Sequence, residues 1–175
     1  MRKIFMVFVM AFIACGCAAT TAKTGPQEVM SKGGDFYVYE NHDRFYVLGS
    51  QESLDKFMAS GHLPYTRTLI GAGPNGETVI FEVNKKDPAL ADRLQKEFSH
   101  TPFLIESSGS DYFVYKMGDR YYVIGQAETS YKFIASGHLP YTRTLLGAGP
   151  TGETVVFEVD KKNPQLADRL VKTYM

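Results

Sequence analysis

A seven-residue segment that could bind an anion occurs twice in the chain. It reads "GHLPYTR", and it combines an imidazole, a phenol and a guanidinium at His62, Tyr65 and Arg67, which recur as His138, Tyr141 and Arg143. These groups can donate hydrogen bonds to a carboxylate or a phosphate, and the proline among them stiffens the loop. A structural role is the competing interpretation and the one we favour, with the histidine at a helix end, the tyrosine packed and Arg67 paired with Glu82 or another acid on a neighbouring strand. The six residues are kept as candidate ligand-binding residues.

A glycine motif also occurs twice, as "GAGPNG" at 71–76 and "GAGPTG" at 147–152. It matches the G-x-G-x-x-G template, which binds a dinucleotide only where a helix follows the glycines. Here the β-branched and aromatic run "ETVIFEV" follows and predicts a strand. We therefore expect no nucleotide but a hairpin, with a type I turn at the proline and a left-handed glycine after it. The expected pairs are Leu69 with Phe81 and Thr68 with Glu82.

The residue types that support metal binding or catalysis are not arranged for either. Of the four histidines, His42 and His100 do not recur, and no two have ligand spacing, so no metal and no cofactor are expected. No thiol follows the leader, and Ser60 is not in a nucleophile elbow. Glu77 and Glu82 could form an acid/base pair, but Glu77 borders an exposed turn, where its pKa has little reason to shift. The sequence predicts no catalytic residue, and two nearly equal copies argue against a single active site.

The first seventeen residues predict a leader. "MRK" is followed by the apolar run "IFMVFVMAFIA", too short for a permanent membrane span, and then by small residues with two cysteines. This arrangement resembles a bacterial lipoprotein signal peptide. The alternatives are an ordinary secretory leader cut near Ala19 or Ala22, and an uncleaved anchor.

The resemblance to lipoproteins implies a site of lipidation and a location. Cys17, after the small residue Gly16, would be diacylated on its thiol and become the first residue of the mature protein, with Cys15 as the alternative. Ala18 instead of aspartate after it implies the outer membrane, with the domain facing the periplasm. Because the sequence has only these two cysteines, the exported domain is expected to fold without a disulfide.

Composition bounds the class of protein. The 175 residues are 44% hydrophobic and 22% charged, which suits one or two small globular domains. Removing Arg2 and Lys3 with the leader lowers the 19 basic residues to 17 against 19 acidic ones. No basic patch points to nucleic acid as a partner.

The mature chain is an internal duplication without insertion or deletion between its copies, so that a constant offset relates Asp35 to Asp111 and every later pair. The copies are identical at 22 of 25 positions over 59–83 but at only 11 of 24 over 35–58, which indicates a stronger constraint on the middle segment. We predict a signal peptide at 1–17, a flexible tether at 18–34, repeat 1 at 35–98, a linker at 99–110 and repeat 2 at 111–175. Phe103, Leu104 and Ile105 are too apolar for a free linker, and we expect them to pack or pair.

Each copy has the pattern of a ββαββα unit, so the fold class is α+β. A first helix is capped by Ser50 and ended by Gly61, and a second begins with Asp87 as cap and Pro88 in its first turn. We expect an antiparallel sheet with the helices packed on one face. Small cores favour merging the two sheets across a pseudo-twofold axis over independent beads.

The first hairpin carries aromatic residues on both faces, at Tyr37, Tyr39, Phe45 and Tyr46. One face must be core; the other could stack a sugar ring or an apolar partner, but we expect the sister copy to cover it.

These patterns predict a lipid-anchored envelope protein that acts as a non-catalytic binding or scaffolding module. Its expected partner, besides the membrane, is an envelope protein or a glycan, bound in a groove at the repeat junction lined by the two "GHLPYTR" segments. The alternative is an envelope enzyme that processes a small ligand or a glycan with the repeated His/Arg/Glu segment.

Overall fold

The computed structural model describes residues 27–31, as backbone only, and residues 36–109 and 111–175. The predicted signal peptide with Cys15 and Cys17, and most of the predicted tether, lie outside these residues. The described elements are β1 (Gln27–Ser31), β2 (Tyr37–Glu40), β3 (Arg44–Leu48), α1 (Gln51–Ser60), β4 (Thr66–Leu69), β5 (Thr78–Glu82), α2 (Leu90–Ser99), β6 (Phe103–Ser107), β7 (Phe113–Met117), β8 (Arg120–Ile124), α3 (Ala127–Ser136), β9 (Thr142–Leu145), β10 (Thr154–Glu158) and α4 (Leu166–Tyr174).

The described strands form two five-stranded sheets, with orders β1-β2-β3-β5-β4 and β6-β7-β8-β10-β9. Most pairs are antiparallel, but β3 runs parallel to β5 and β8 parallel to β10. Parallel neighbours need a crossover connection, and α1 and α3 lie in these connections. The predicted α+β class with two ββαββα units is confirmed. The expected merging of the sheets across a twofold axis is wrong, because each described sheet contains strands of one copy only.

Each unit gains a strand at its N-terminal end that sequence patterns did not predict as part of it. Strand β1 lies in the predicted tether and pairs with β2, while β6 lies in the predicted linker and pairs with β7. The expectation that Phe103, Leu104 and Ile105 pack or pair is thereby confirmed. The two strands are separated by the offset of the duplication, and both pairings shift register at the equivalent position, between Glu28 and Met30 and between Leu104 and Glu106. The repeat therefore begins before the detectable sequence similarity.

The two helices of a unit cover opposite faces of its sheet. Leu54 and Phe57 of α1 pack against Tyr37, Tyr39 and Leu48. Leu90, Leu94 and Phe98 of α2 pack against Val38, Phe45 and Val47. Because successive side chains of a strand point to opposite faces, these sets define two separate cores. The prediction of both helices on one face is wrong, and the second aromatic face is covered by the unit's own first helix instead of the sister copy.

The helix boundaries follow the predicted signals at α1 and differ at α2. The Ser50 hydroxyl accepts the Ser53 N–H at 3.1 Å, and Gly61 ends α1 at a φ of 65°. Helix α2 begins at Leu90 without a side-chain cap, so the predicted cap by Asp87 is wrong. The Asp87 carboxylate instead accepts hydrogen bonds from Arg93, which lowers the pKa of Asp87.

The glycine motif forms the predicted turn in a different register. The Gly76 N–H donates to the Gly73 carbonyl at 3.1 Å, and Gly76 has the expected left-handed φ, 90°. Strand β5 follows, as predicted. The expected pairs of Leu69 with Phe81 and Thr68 with Glu82 are wrong: Leu69 pairs with Val79 and Thr68 with Ile80. A second turn at 70–71, with Gly71 at a φ of 73°, takes up the two additional residues.

Candidate functional site

The repeated "GHLPYTR" segment does not bring its three candidate groups together. Arg67 lies on β4 opposite Phe81, whose side chain belongs to the α2 core. Its guanidinium donates to the Asp92 carboxylate of α2 at 2.5 Å, and Arg143 donates to Asp168 at the same distance. Both expected partners, Glu82 and an acid on a neighbouring strand, are therefore wrong, because Asp92 and Asp168 lie on helices. Each arginine nevertheless forms an ion pair within its own unit. Each of these largely exposed ion pairs joins a strand to the second helix of its unit, and at the surface such a pair contributes little to stability.

His62 and Tyr65 lie on the other side of the unit, beside α1. Both side chains are exposed, and they line a cleft of about 300 Å³ together with residues of α1 and of the segment that follows β5. The ammonium group of Lys85 lies 4.3 Å from the centre of the Tyr65 ring. In repeat 2 the ammonium group of Lys161 lies 4.0 Å from the Tyr141 ring. We call His62, Tyr65 and Lys85, with His138, Tyr141 and Lys161, the histidine–tyrosine surface.

The lysines of this surface were not among the candidates predicted from the sequence. Lys85 and Lys161 belong to the repeated segment "KKDPALADRL" and "KKNPQLADRL", so the constant offset of the duplication was the signal that could have identified them. A cation over the face of a tyrosine is attracted by the ring quadrupole. Tyr65 is 48% exposed and Tyr141 47%, so part of each residue remains accessible to a ligand. The surface combines an aromatic ring, an ammonium group and an imidazole.

Glu82, which could have been half of an acid/base pair, is a buried structural carboxylate. It accepts the Gly49 N–H at 2.9 Å and the Ser53 hydroxyl of α1. Its equivalent Glu158 accepts the Gly125 and Gln126 N–H groups at 2.8 and 3.1 Å. Both carboxylates lie at the N-terminus of the first helix of their unit, where the helix dipole stabilises negative charge. Their recurrence is therefore explained by folding.

Glu77, the other half of that pair, belongs to the glycine turn. Its carboxylate accepts the Asn75 N–H at 2.8 Å and the Asn75 side-chain amide at 3.1 Å. Its equivalent Glu153 accepts the Thr151 N–H at 2.9 Å and the Thr151 hydroxyl at 2.7 Å, and these bonds lower the pKa of Glu153. Glu77 and Glu82 thus hold separate structures and do not face one another.

The rim of the cleft at α1 carries an ion pair that both copies retain. Lys56 donates to Glu52 at 2.5 Å, one turn apart on α1, and Lys132 donates to Glu128 at 2.6 Å on α3. The hydrogen bond and the positive charge of the lysine lower the pKa of each glutamate. All four side chains are highly exposed, so the pairs contribute little to stability. They leave a mixed charge at the edge of the histidine–tyrosine surface.

The groove predicted at the repeat junction exists with a different lining. A cleft of about 180 Å³ lies between the glycine turn, α2 and β6, and its lining includes Pro74, Phe98, Phe103 and Lys116. Neither the histidines nor the tyrosines of the "GHLPYTR" segments line it, and Arg67 and Arg143 do not reach it. The expectation of a junction groove built from these segments is wrong.

Two features are absent from the described residues, a metal-binding cluster and a membrane-spanning helix. No group of three or more histidine, cysteine, aspartate or glutamate side chains there could hold a metal ion. Within that same part of the chain, no helix has the length and apolar composition needed to cross a membrane.

Comparisons with known proteins gave no relationship from which a function could be transferred. No family model, no curated protein and no solved structure matches the chain. The function must therefore be argued from the chain's own residues.

Proposed function

We propose that the chain is a lipid-anchored protein of the bacterial envelope, a non-catalytic binding or scaffolding module whose two copies each present the histidine–tyrosine surface to a partner. Recurrence at exposed positions is the observation that carries the proposal. His62 and Tyr65 are exposed and identical to His138 and Tyr141, and a lysine lies over the tyrosine in both copies. Core packing constrains buried residues and leaves exposed ones free to change, so a surface kept in both copies points to binding.

The chemistry of the surface suits an envelope protein or a glycan. A tyrosine face stacks on a sugar ring or on an apolar side chain, and imidazole and ammonium groups bond to hydroxyl or carboxylate oxygens. One chain carries the surface twice. A partner with repeated binding groups would therefore gain affinity from two linked contacts.

The anchor rests on the resemblance of residues 1–17 to a lipoprotein signal peptide. Two or three acyl chains on Cys17 would hold the protein durably on a membrane, where one chain would not. The residue Ala18 favours the outer membrane, with the domain facing the periplasm.

The lipid anchor and the binding surface can be tested together. We would purify the native protein from gently solubilised membranes and analyse the intact protein and its co-purifying molecules by mass spectrometry. We expect an acyl mass on Cys17 and a stoichiometric protein or glycan partner. The double variant Tyr65→Ala with Tyr141→Ala should lower partner recovery at least about tenfold.

Tyr131→Ala is the matched control, because Tyr131 is 73% exposed on α3 but has no tyrosine equivalent in repeat 1. It should leave recovery unchanged. Full recovery with the double variant would overturn the proposed binding surface. An unmodified mature N-terminus, without any acyl mass, would overturn the proposed anchor.

A further inference from the structure

One aromatic side chain closes the α2 core of repeat 1 from outside that repeat. Phe103 begins β6, which pairs with β7 in the second sheet. Its ring nevertheless packs in the first unit, with its centre 5.5 Å from that of Phe45 and 4.9 Å from that of Phe98. All three rings are no more than 8% exposed. The first core is completed by a phenylalanine of the next unit.

The equivalent place in repeat 2 is an open cleft. The residues of repeat 2 that correspond to Phe36, Phe45 and Phe98 are tyrosines that are only half-buried, Tyr112, Tyr121 and Tyr174. Likewise Pro74 is buried and its equivalent Pro150 exposed. A cleft of about 360 Å³ is lined by Tyr121, Tyr174, Val114, Ile105, Ala148 and Pro150, and Glu106 and Met175 complete its lining. We call this the tyrosine cleft; within the described part of the chain, no aromatic ring takes the place that Phe103 takes in repeat 1.

The tyrosine cleft has an apolar floor and a polar rim. The Tyr112 hydroxyl donates to Glu106 at 2.5 Å. The Lys116 ammonium group lies 3.9 Å from the Glu153 carboxylate and 5.2 Å from the centre of the Tyr121 ring. A tyrosine can bury its ring and keep its hydroxyl in water, which a phenylalanine cannot do. The three replacements of phenylalanine by tyrosine therefore suit a site whose rim contacts water when the site is empty. Its floor can still bind an apolar group.

We infer that the tyrosine cleft binds a phenylalanine side chain from an extended segment of a partner protein, in the manner in which repeat 1 binds Phe103. The cleft retains the apolar floor of the equivalent site, and an aromatic ring in such a pocket is a typical anchor of protein interfaces.

A second copy of this chain fits the tyrosine cleft poorly. Strands β1 and β6 pair in the same register, and the residue of β1 that corresponds to Phe103 is Gln27. If a second chain followed repeat 2 in the way that repeat 2 follows repeat 1, its Gln27 would occupy the position of Phe103. The tyrosine cleft would then receive a polar residue at its apolar floor. A different protein with an aromatic residue at that position satisfies the cleft.

This inference is independent of the proposed function. The tyrosine cleft lies on the α4 side of its sheet, whereas the histidine–tyrosine surface adjoins α1 and, by equivalence, α3. Binding at the tyrosine cleft is measured at Tyr112, Tyr121 and Tyr174, whereas binding at the histidine–tyrosine surface is tested by replacing Tyr65 and Tyr141. Either proposal can therefore fail without the other.

An acetylated peptide with the sequence of residues 100–107, "HTPFLIES", is the probe. We would titrate it onto the full chain in detergent micelles, with tyrosine rings labelled for nuclear magnetic resonance. Signals of Tyr112, Tyr121 and Tyr174 should shift, and the peptide with alanine in place of phenylalanine should bind at least about tenfold more weakly. Ala148→Leu, which fills the cleft, should weaken binding similarly, while Ala72→Leu at the equivalent position of repeat 1 should not.

Attaching the peptide to the chain itself allows its binding to be detected even when the free peptide binds weakly. Adding "HTPFLIES" directly after Met175 places its phenylalanine at the position equivalent to Phe103, because Met175 corresponds to Ser99. The midpoint of thermal unfolding should exceed that of the same extension with alanine by about 4 °C.

Four results would overturn the inference. They are equal binding of the two peptides, equal midpoints of the two extended chains, concentration-dependent shifts of the cleft tyrosines without peptide, and shifts of these tyrosines with envelope glycan fragments in place of the peptide. The third result would assign the tyrosine cleft to a second copy, and the fourth would assign it to a glycan.

Discussion

The carboxylate of Glu82 accepts the backbone N–H of Gly49 at 2.9 Å, across 33 residues of sequence. The bond joins the end of β5 to the residue before the cap of α1. In repeat 2, Glu158 makes the corresponding bond to Gly125 at 2.8 Å. A buried glutamate at the end of an interior strand thus joins the crossover helix to the sheet. Folding explains its recurrence without a catalytic role.

Removing this carboxylate should destabilise the protein. Glu158 is 3% exposed, and its replacement leaves the backbone N–H groups of Gly125 and Gln126 without their acceptor and removes one of the two acceptors of the Gln126 side-chain amide, the other being Asp160. Glu158→Ala should lower the free energy of unfolding by about 2–3 kcal/mol in urea titrations followed by circular dichroism. The control Glu128→Ala, at an exposed ion pair, should change it by less than about 0.5 kcal/mol. If Glu158→Ala lowered the free energy of unfolding by as little as Glu128→Ala, the structural role of Glu158 would be contradicted.

Backbone conformation should decide the effect of replacing Gly71. Its φ is 73°, and a Cβ added there would meet no atom of the described residues within 4 Å, its two chain neighbours aside. Gly71→Ala should therefore lower the free energy of unfolding by about 1–2 kcal/mol through left-handed strain alone. Asparagine tolerates this conformation, so Gly71→Asn should lower it less. Equal losses in chemical denaturation would assign the effect to something other than φ.

Phe103 and its neighbour Leu104 should respond differently to truncation. Phe103 is 8% exposed in an aromatic cluster, while Leu104 is 55% exposed. Phe103→Ala should lower the free energy of unfolding by about 3 kcal/mol, because it leaves a cavity beside Phe45 and Phe98. Leu104→Ala should stay within about 0.5 kcal/mol of the unmodified chain. Similar losses from both would show that Phe103 does not complete the first core.

The turn at Glu153 should show a pH dependence. Bonds from Thr151 lower the pKa of Glu153 below its ordinary value of 4.5. A carboxyl group with a lowered pKa stabilises the folded state above its unfolded pKa, and this contribution is lost as the pH falls through the folded pKa. Carboxyl carbon resonance titrations should show the pKa of Glu153 rising towards 4.5 in Thr151→Val but not in Thr151→Ser. An unchanged pKa in Thr151→Val would remove the hydroxyl as the cause.

The two cysteines of the leader should differ in their effect on membrane attachment. By resemblance to lipoproteins, Cys17→Ser should abolish acylation and move the protein from the membrane to the aqueous fraction. Cys15→Ser should leave attachment intact. Fractionation followed by intact mass measurement checks both, and the opposite pattern would assign lipidation to Cys15.

Local signals predicted the elements better than the way they join. Ser50, Gly61, Pro74 and Gly76 act as their residue types predict, because capping and turn geometry depend on a few neighbouring residues. The register of β4 and β5 was missed by two residues because Gly71 opens a second turn, whereas a single turn was enough to explain the glycine motif. The residue type shows that a glycine can adopt a left-handed φ, but only the surrounding chain decides whether it does so.

Longer-range features were missed for a different reason. Strand β1, "QEVMS", shares only its final serine with "FLIES" of β6, so the duplication is visible there only in the pairing register and the shared bulge. Aromatic residues on both faces of β2 and β3 indicated that one face is core, but they did not show that the unit's own first helix covers the other. The candidate site was predicted in part: His62 and Tyr65 share a cleft, whereas Arg67 pairs with Asp92, a residue brought near only by the packing of α2.

The position of Phe103 makes the halves of the molecule unequal. A fragment ending before residue 100 would leave the Phe45 and Phe98 rings uncovered, and such a fragment is prone to aggregation. A fragment beginning at residue 103 keeps its own tyrosine-edged core and exposes one additional phenylalanine. The C-terminal half is therefore the better candidate for an autonomous folding unit.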